Sequence, residues 1–150
     1  MNQPLYTVEI LRLAASIPHL GPLDGAHGEA KVRSPTCGSL VSVQVTLDED
    51  GRVTKLGQQV QACAFGQASA ALMGAHAVGR RAEEIEKALT EVDDWLEGLR
   101  DDPGAWPGLD ALAPARSRRA RHGAMLLPFR ALLAATKAAS SGRRQSVATR

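Results

Sequence analysis

The stretch 40–62, LVSVQVTLDEDGRVTKLGQQVQA, decides the fold. Apolar residues alternate with polar ones through its first half, which is the period of a half-buried strand. The acidic segment 48–51, DEDG, has the composition of a turn that closes a hairpin. A second strand is predicted over 52–62, with Leu56, Val60 and Ala62 on one face. The stretch therefore predicts an antiparallel hairpin.

Outside the hairpin, most of the chain has helical periodicity, with apolar residues three and four positions apart. A helix is predicted over 6–17, ending at Pro18, and a short extended segment over 30–33. Two more helices follow the hairpin, and a final helix is predicted with Pro128 in its first turn, where a missing N–H is tolerated. The three later helices are predicted over 68–78, from Ala82 to Leu96, and over 124–139.

This order of elements indicates an α+β fold. A run of strands followed by a run of helices predicts a small antiparallel sheet, of about three strands, covered on one face by helices. The length of 150 residues suits one domain, predicted over 1–139. The Ser/Arg-rich end, 140–150, has almost no apolar residues and is predicted to be a disordered basic tail.

Composition excludes several classes of protein. A net charge of +2 is too small for a dedicated nucleic-acid binder. No run reaches the roughly 18 apolar residues of a membrane span, and no signal peptide is evident, so a cytoplasmic protein is expected. No catalytic Ser/His/Asp set, phosphate-binding loop or carboxylate pair is evident, so the chain is not expected to be an enzyme. A reducing cytosol disfavours a structural disulfide between the two cysteines.

The two cysteines are predicted to lie close together. Cys37 precedes the turn residue Asp50 by 13 positions and Cys63 follows it by 13, so a hairpin places both at the same end of the sheet. Cys63 also precedes a predicted helix, whose positive N-terminal end favours a thiolate. The alternative is that both are small residues of the core.

Two further features lie near the start of the final helix. His122 could complete a site of two cysteines and one histidine, although histidines in such places are more often surface or capping residues. A basic run precedes it. This run is either a solvated loop, a docking surface for an acidic partner, or a source of charge that favours thiolates nearby. Its members are Arg116, Arg118, Arg119 and Arg121.

Several motifs, in order, resemble the scaffold proteins of iron–sulfur cluster assembly, the IscU/NifU N-terminal-like family. SPTCGS around Cys37 resembles the family's first cysteine motif, and ACAFGQASAALM around Cys63 resembles its second. His122 matches the histidine of the family's His-Cys pair. The chain departs from the pattern at Ser39, where the family has aspartate, and at Gly123, where it has the third cysteine. The segment 112–116, LAPAR, is a poor match to the family's chaperone-recognition stretch.

The resemblance implies a SufE/IscU-like fold and a scaffold that binds iron, a labile [2Fe–2S] cluster or zinc. The implied ligands are Cys37, Cys63 and His122. The implied partners are a cysteine desulfurase and iron–sulfur carrier or target proteins, and a homodimer is possible. No binding to nucleic acid or to a membrane is expected. Two alternatives stay open, namely a persulfide acceptor working with a desulfurase and a module of that pathway that binds no metal.

Overall fold

The alternating segment forms the middle strand of a three-stranded antiparallel sheet with the strand order β1-β2-β3. The computed structural model describes residues 5–35 and 38–148. The strands are β1, Gly28–Arg33; β2, Leu40–Leu47; and β3, Val53–Gln61. The apolar residues of β2 are buried, as the alternation predicted: Val41, Val43, Val45 and Leu47.

The hairpin between β2 and β3 is confirmed, with one irregularity. Leu40 pairs with Gln61, and the register continues as far as Thr46, where it shifts by one residue. In the turn that follows, Gly51 has a φ of +82°, which favours glycine. The Asp48 carboxylate accepts hydrogen bonds from the backbone N–H groups of residues 50 and 52, which holds the turn closed.

Among the described residues, four α-helices and one 3-10 helix accompany the sheet. They are α1, Val8–Ala14; α2, Ala64–His76; α3, Ala82–Leu96; the 3-10 helix Leu109–Ala115; and α4, Arg119–Ala148. The predicted α+β class and element order are therefore confirmed. The long helix α4 packs against β1, β2, α2 and α3. At Gly28 of β1 an added Cβ would lie 2.5 Å from the backbone nitrogen of Ala139, so the strand lies directly on the helix.

The final helix differs most from its prediction. It begins at Arg119 rather than at residue 124, so Pro128 is its tenth residue and not in its first turn. Proline has no N–H, so the carbonyl of Ala124 loses its usual helical partner. That carbonyl lies 3.2 Å from where a Cβ on Gly66 would be, so Gly66 leaves room beside the altered helix.

The helix also ends later than predicted. Its backbone continues to Ala148, whereas a disordered tail was predicted from residue 140. Arg, Gln and Ala in this segment have good helix propensity, which continues a helix already held against the sheet. Residues 149 and 150 lie outside the described part, and the domain limit at residue 139 stays a prediction.

No helix of the described segments combines the length and apolar character needed to cross a bilayer.

Candidate functional site

The segments that lead to the two cysteines meet at one end of the sheet. Cys63 follows Gln61, the last residue of β3, by two positions, and Gln61 pairs with Leu40 at the start of β2. Cys37 lies in the connection between β1 and β2. The ends of that connection are joined by a hydrogen bond of 2.8 Å from the Ser34 N–H to the Ser39 carbonyl. Cys37 is itself outside the described residues, so its closeness to Cys63 stays a prediction.

Cys63 is the residue that caps the N-terminus of α2. Its backbone is extended, with φ −66° and ψ 172°, and its side chain makes no capping hydrogen bond. The thiol is free and half-buried. The first N–H groups of a helix point toward its N-terminus and stabilise negative charge there. A sulfur atom at this position makes no capping bond that binding a cation or accepting sulfur would break.

Helices α2 and α4 approach each other closely near Cys63. An added Cβ on Gly66 would lie 3.4 Å from the Cβ of Ala124. One turn later the buried Ser69 hydroxyl donates a hydrogen bond of 2.5 Å to the carbonyl of Met125. The small residues at the start of α2 therefore allow the backbones of the two helices to pack closely.

The contact continues along both helices in the same direction. The Trp106 indole N–H donates to the Leu72 carbonyl at 2.9 Å, and its ring meets Phe129 edge-on with centroids 5.1 Å apart. The contacts therefore progress from Gly66 to Leu72 along α2 and, in the same direction, from Ala124 to Phe129 along α4. The N-terminal ends of the two helices lie at the same end of the molecule, which is the end that carries Cys63.

His122 is buried in α4 and already holds a structural bond. It is 7% exposed, and its Nε2 donates to the carbonyl of Arg116 over 2.7 Å. A metal could therefore be bound only through Nδ1, or after this bond is broken. The predicted ligand role of His122 is not tested by this arrangement and stays a proposal.

The half-buried side chain of Arg116 is hydrogen-bonded within the molecule. Its guanidinium donates to the Trp95 carbonyl at 2.9 and 2.8 Å and to the Arg100 carbonyl at 3.2 Å. It also lies 5.0 Å from the centroid of the Trp95 ring. A cation at this place satisfies carbonyls at the C-terminus of α3. Its guanidinium is therefore already engaged within the molecule, and the docking role predicted for Arg116 stays a prediction.

The other arginines of the run are more accessible. Arg119 is exposed and forms an ion pair of 3.2 Å with Glu97. Arg118 is exposed and Arg121 is half-exposed. In the part of the chain that the structure describes, no ion pair joins either side chain to a carboxylate.

The two positions that depart from the family pattern carry no strong ligand. Ser39 is buried, at 5% exposure, and a hydroxyl is a poorer metal ligand than a carboxylate at neutral pH. Gly123 follows His122 within α4 and has no side chain at all. Within residues 5–35 and 38–148 no three His, Cys, Asp or Glu side chains are grouped so that they could hold a metal ion.

The chain thus combines a three-stranded antiparallel sheet and its helices with a thiol at the N-terminus of α2. It belongs to the family of NifU-like N-terminal domains, whose model matches residues 5–113. The predicted resemblance to the IscU/NifU family is thereby confirmed. Cys37 and Cys63 lie inside the matched range, whereas His122 lies beyond it.

Individual relatives agree with this family. The iron–sulfur cluster assembly scaffold protein IscU of Thermotoga maritima is 28% identical over 133 residues, which cover 89% of this chain and 93% of the relative. The crystal structure of a nitrogen-fixing NifU-like protein (N-terminal) from Brucella abortus is similar with a TM-score of 0.84 and 30% identity. That match covers 91% of this chain and 95% of the other.

A third relative supports the fold alone. It is a candidate iron–sulfur cluster assembly scaffold for the SUF system from Fervidobacterium islandicum, with a TM-score of 0.80 and 19% identity. It covers 88% of this chain and 96% of its own. The two structural likenesses, each over nearly the whole chain, therefore confirm the predicted IscU-like α+β architecture.

Proposed function

We propose that this chain is a scaffold-like protein of iron–sulfur cluster assembly that carries iron or a labile [2Fe–2S] cluster as its cargo. The observation that supports this most is the position of Cys63, a free and half-buried thiol at the N-terminus of α2. The family membership and the IscU relative support the same class of function. The protein acts as a carrier surface rather than as an enzyme.

The thiolates of Cys37 and Cys63 are the proposed ligands. A [2Fe–2S] cluster is usually held by four protein ligands, most often thiolates, and this chain contains two cysteines. The remaining positions are filled by small thiols, by a second copy of the chain, or by the Nδ1 atom of His122. Incomplete ligation suits a cluster that is handed on, and zinc can occupy the same thiolates.

The proposed partners follow from this cargo. A cysteine desulfurase supplies the sulfur, and iron–sulfur carrier or target proteins receive the finished cluster. These exchanges take place in the cytoplasm, where thiols stay reduced.

The decisive experiment measures iron, zinc and acid-labile sulfide per chain after anaerobic reconstitution. Wild type is compared with Cys63→Ser, and the Cys37→Ser, Cys63→Ser double variant measures adventitious metal. Because the Cys63 thiol makes no capping bond, Cys63→Ser should fold like wild type, which far-UV circular dichroism checks. We expect comparable amounts of iron and sulfide on wild type and their loss from Cys63→Ser.

Other outcomes point elsewhere. Zinc without sulfide would show a thiolate site that assembles no cluster. A persulfide on one cysteine after incubation with a desulfurase, with no metal bound, would favour the sulfur-acceptor alternative. Equal metal on wild type and the double variant would refute a thiolate site altogether.

A further inference from the structure

We propose that Arg118 and Arg121 form a cationic docking surface for an acidic surface on the protein that delivers sulfur to Cys63. The inference rests on the proposed function and adds the chemistry of its partner. The basic run has two parts, because Arg116 and Arg119 bond to other groups of the molecule and the remaining two arginines form the surface. The docking surface is defined here as the side chains of Arg118 and Arg121.

The charges of this surface are not balanced within the described chain. Arg116 is bonded to the carbonyls of Trp95 and Arg100, and Arg119 pairs with Glu97. Neither Arg118 nor Arg121 has an ion-pair partner among the side chains that the structure describes. Two unpaired guanidinium groups three residues apart are available to carboxylates of another protein.

These charges also destabilise the N-terminus of the helix that bears them. Arg121 lies in the first turn of α4 and Arg118 directly before it, and that turn contains no acidic residue. The N-terminus of a helix carries a partial positive charge, so cations there are unfavourable. Helix stability therefore does not explain the two arginines, whereas an acidic partner would neutralise both them and the helix end.

The surface lies at the same end of the molecule as Cys63. Gly66 faces Ala124 across the contact between α2 and α4. Cys63 precedes Gly66 by three residues, and Arg121 precedes Ala124 by three. Cys63 and Arg121 therefore each lie about 4.5 Å from the contact between Gly66 and Ala124, measured along the helix axis toward the shared N-terminal end. A protein bound at the arginines would contact the region of the thiol.

Arg130 provides a matched control on the same helix. It is exposed, and among the described residues no ion pair involves it. It lies nine residues beyond Arg121, so it is about 13 Å further along the helix axis. Arg130→Glu changes the net charge by the same amount as either single substitution in the docking surface.

The test measures binding of the metal-free protein to the cysteine desulfurase of the same organism, by calorimetry at low and high salt. The variants are Arg118→Glu, Arg121→Glu, the double variant that combines them, and Arg130→Glu, which is compared with each single substitution at equal change of net charge. We expect the double variant to weaken binding by about tenfold or more, and Arg130→Glu to change it by less than about twofold. Wild-type affinity should fall as salt rises, and that dependence should be smaller in the double variant.

Two further readouts separate docking from folding and from cluster assembly. The double variant should melt no lower than wild type, because Glu replaces Arg in the first turn of α4. It should also load iron and sulfide as wild type does when both are supplied chemically. The docking proposal would be overturned if Arg118→Glu/Arg121→Glu and Arg130→Glu bound the desulfurase with equal affinity. It would also be overturned if wild type did not bind the desulfurase. Failed chemical loading of wild type would instead refute the scaffold function.

Discussion

The close approach of α2 and α4 can be tested by adding one methyl group at Gly66. In Gly66→Ala the new Cβ would lie 2.6 Å from the Cβ of Ala62 and 3.2 Å from the Ala124 carbonyl oxygen. Carbon atoms normally pack at about 3.5–4.0 Å. Neither neighbour is a flexible side chain that can turn aside, so the helix must shift.

The expected magnitude combines two opposing effects. Over-packing a close contact costs about 1–3 kcal/mol, while replacing glycine by alanine within a helix gains about 0.5–1 kcal/mol. A matched control isolates the first effect. Gly142 is likewise a helical glycine, in α4, and the nearest atom to its added Cβ is the His27 carbonyl oxygen, at 3.9 Å. Gly142→Ala should therefore show the helical gain alone.

The assay is urea and thermal unfolding of wild type and the two variants, followed by circular dichroism. The difference in unfolding free energy between Gly142→Ala and Gly66→Ala should equal the over-packing cost of about 1–3 kcal/mol. For a chain of this size each kcal/mol shifts the melting temperature by about 2–4 °C. If Gly66→Ala stabilised the protein as much as Gly142→Ala does, the inferred contact between α2 and α4 would be wrong.

Two other predictions concern the segment between α3 and α4 and its contacts. His122→Ala leaves the Arg116 carbonyl without its side-chain donor and should lower the unfolding free energy by about 1–3 kcal/mol, measured by urea unfolding; a loss below about 0.5 kcal/mol would contradict the structural role. The Gly104 N–H and then Arg100 lower the pKa of Asp102. Its stabilising effect is therefore present above its unfolded value, about 3.9, and is lost as pH falls through the folded value. Asp102→Asn should reduce the fall in melting temperature on acidification, and parallel curves for the two proteins would refute this.

The hairpin could be predicted from the sequence because local patterns determine it. Alternation places one face of β2 in the core, and a shift of one residue would expose that whole face, so the register is strongly specified. The equal spacing of the cysteines from Asp50 predicted which end of the sheet they approach. It could not predict the irregularity after Thr46, which moves the pairing by one residue.

The start of α4 could not be predicted from local sequence patterns. Glycine and proline normally interrupt helices, so Gly123 and Pro128 favoured a later start. Contacts distant in sequence decide otherwise. Arg116 is bonded to the end of α3, and its carbonyl accepts a hydrogen bond from His122. A sequence pattern contains no signal for such a chain of bonds between residues 95 and 122.

The same chain of bonds changes how the candidate site should be interpreted. The sequence offered His122 as a third ligand next to two cysteines, whereas the structure uses its Nε2 to hold the segment before α4. The thiol of Cys63 has no such structural duty, since it makes no capping bond. A group without an internal partner can bind and release a cargo at little cost to the fold, whereas a group that already bonds the backbone cannot. The thiol of Cys63 is therefore the better basis for the proposed labile site, and His122 is the better basis for holding α4 beside it.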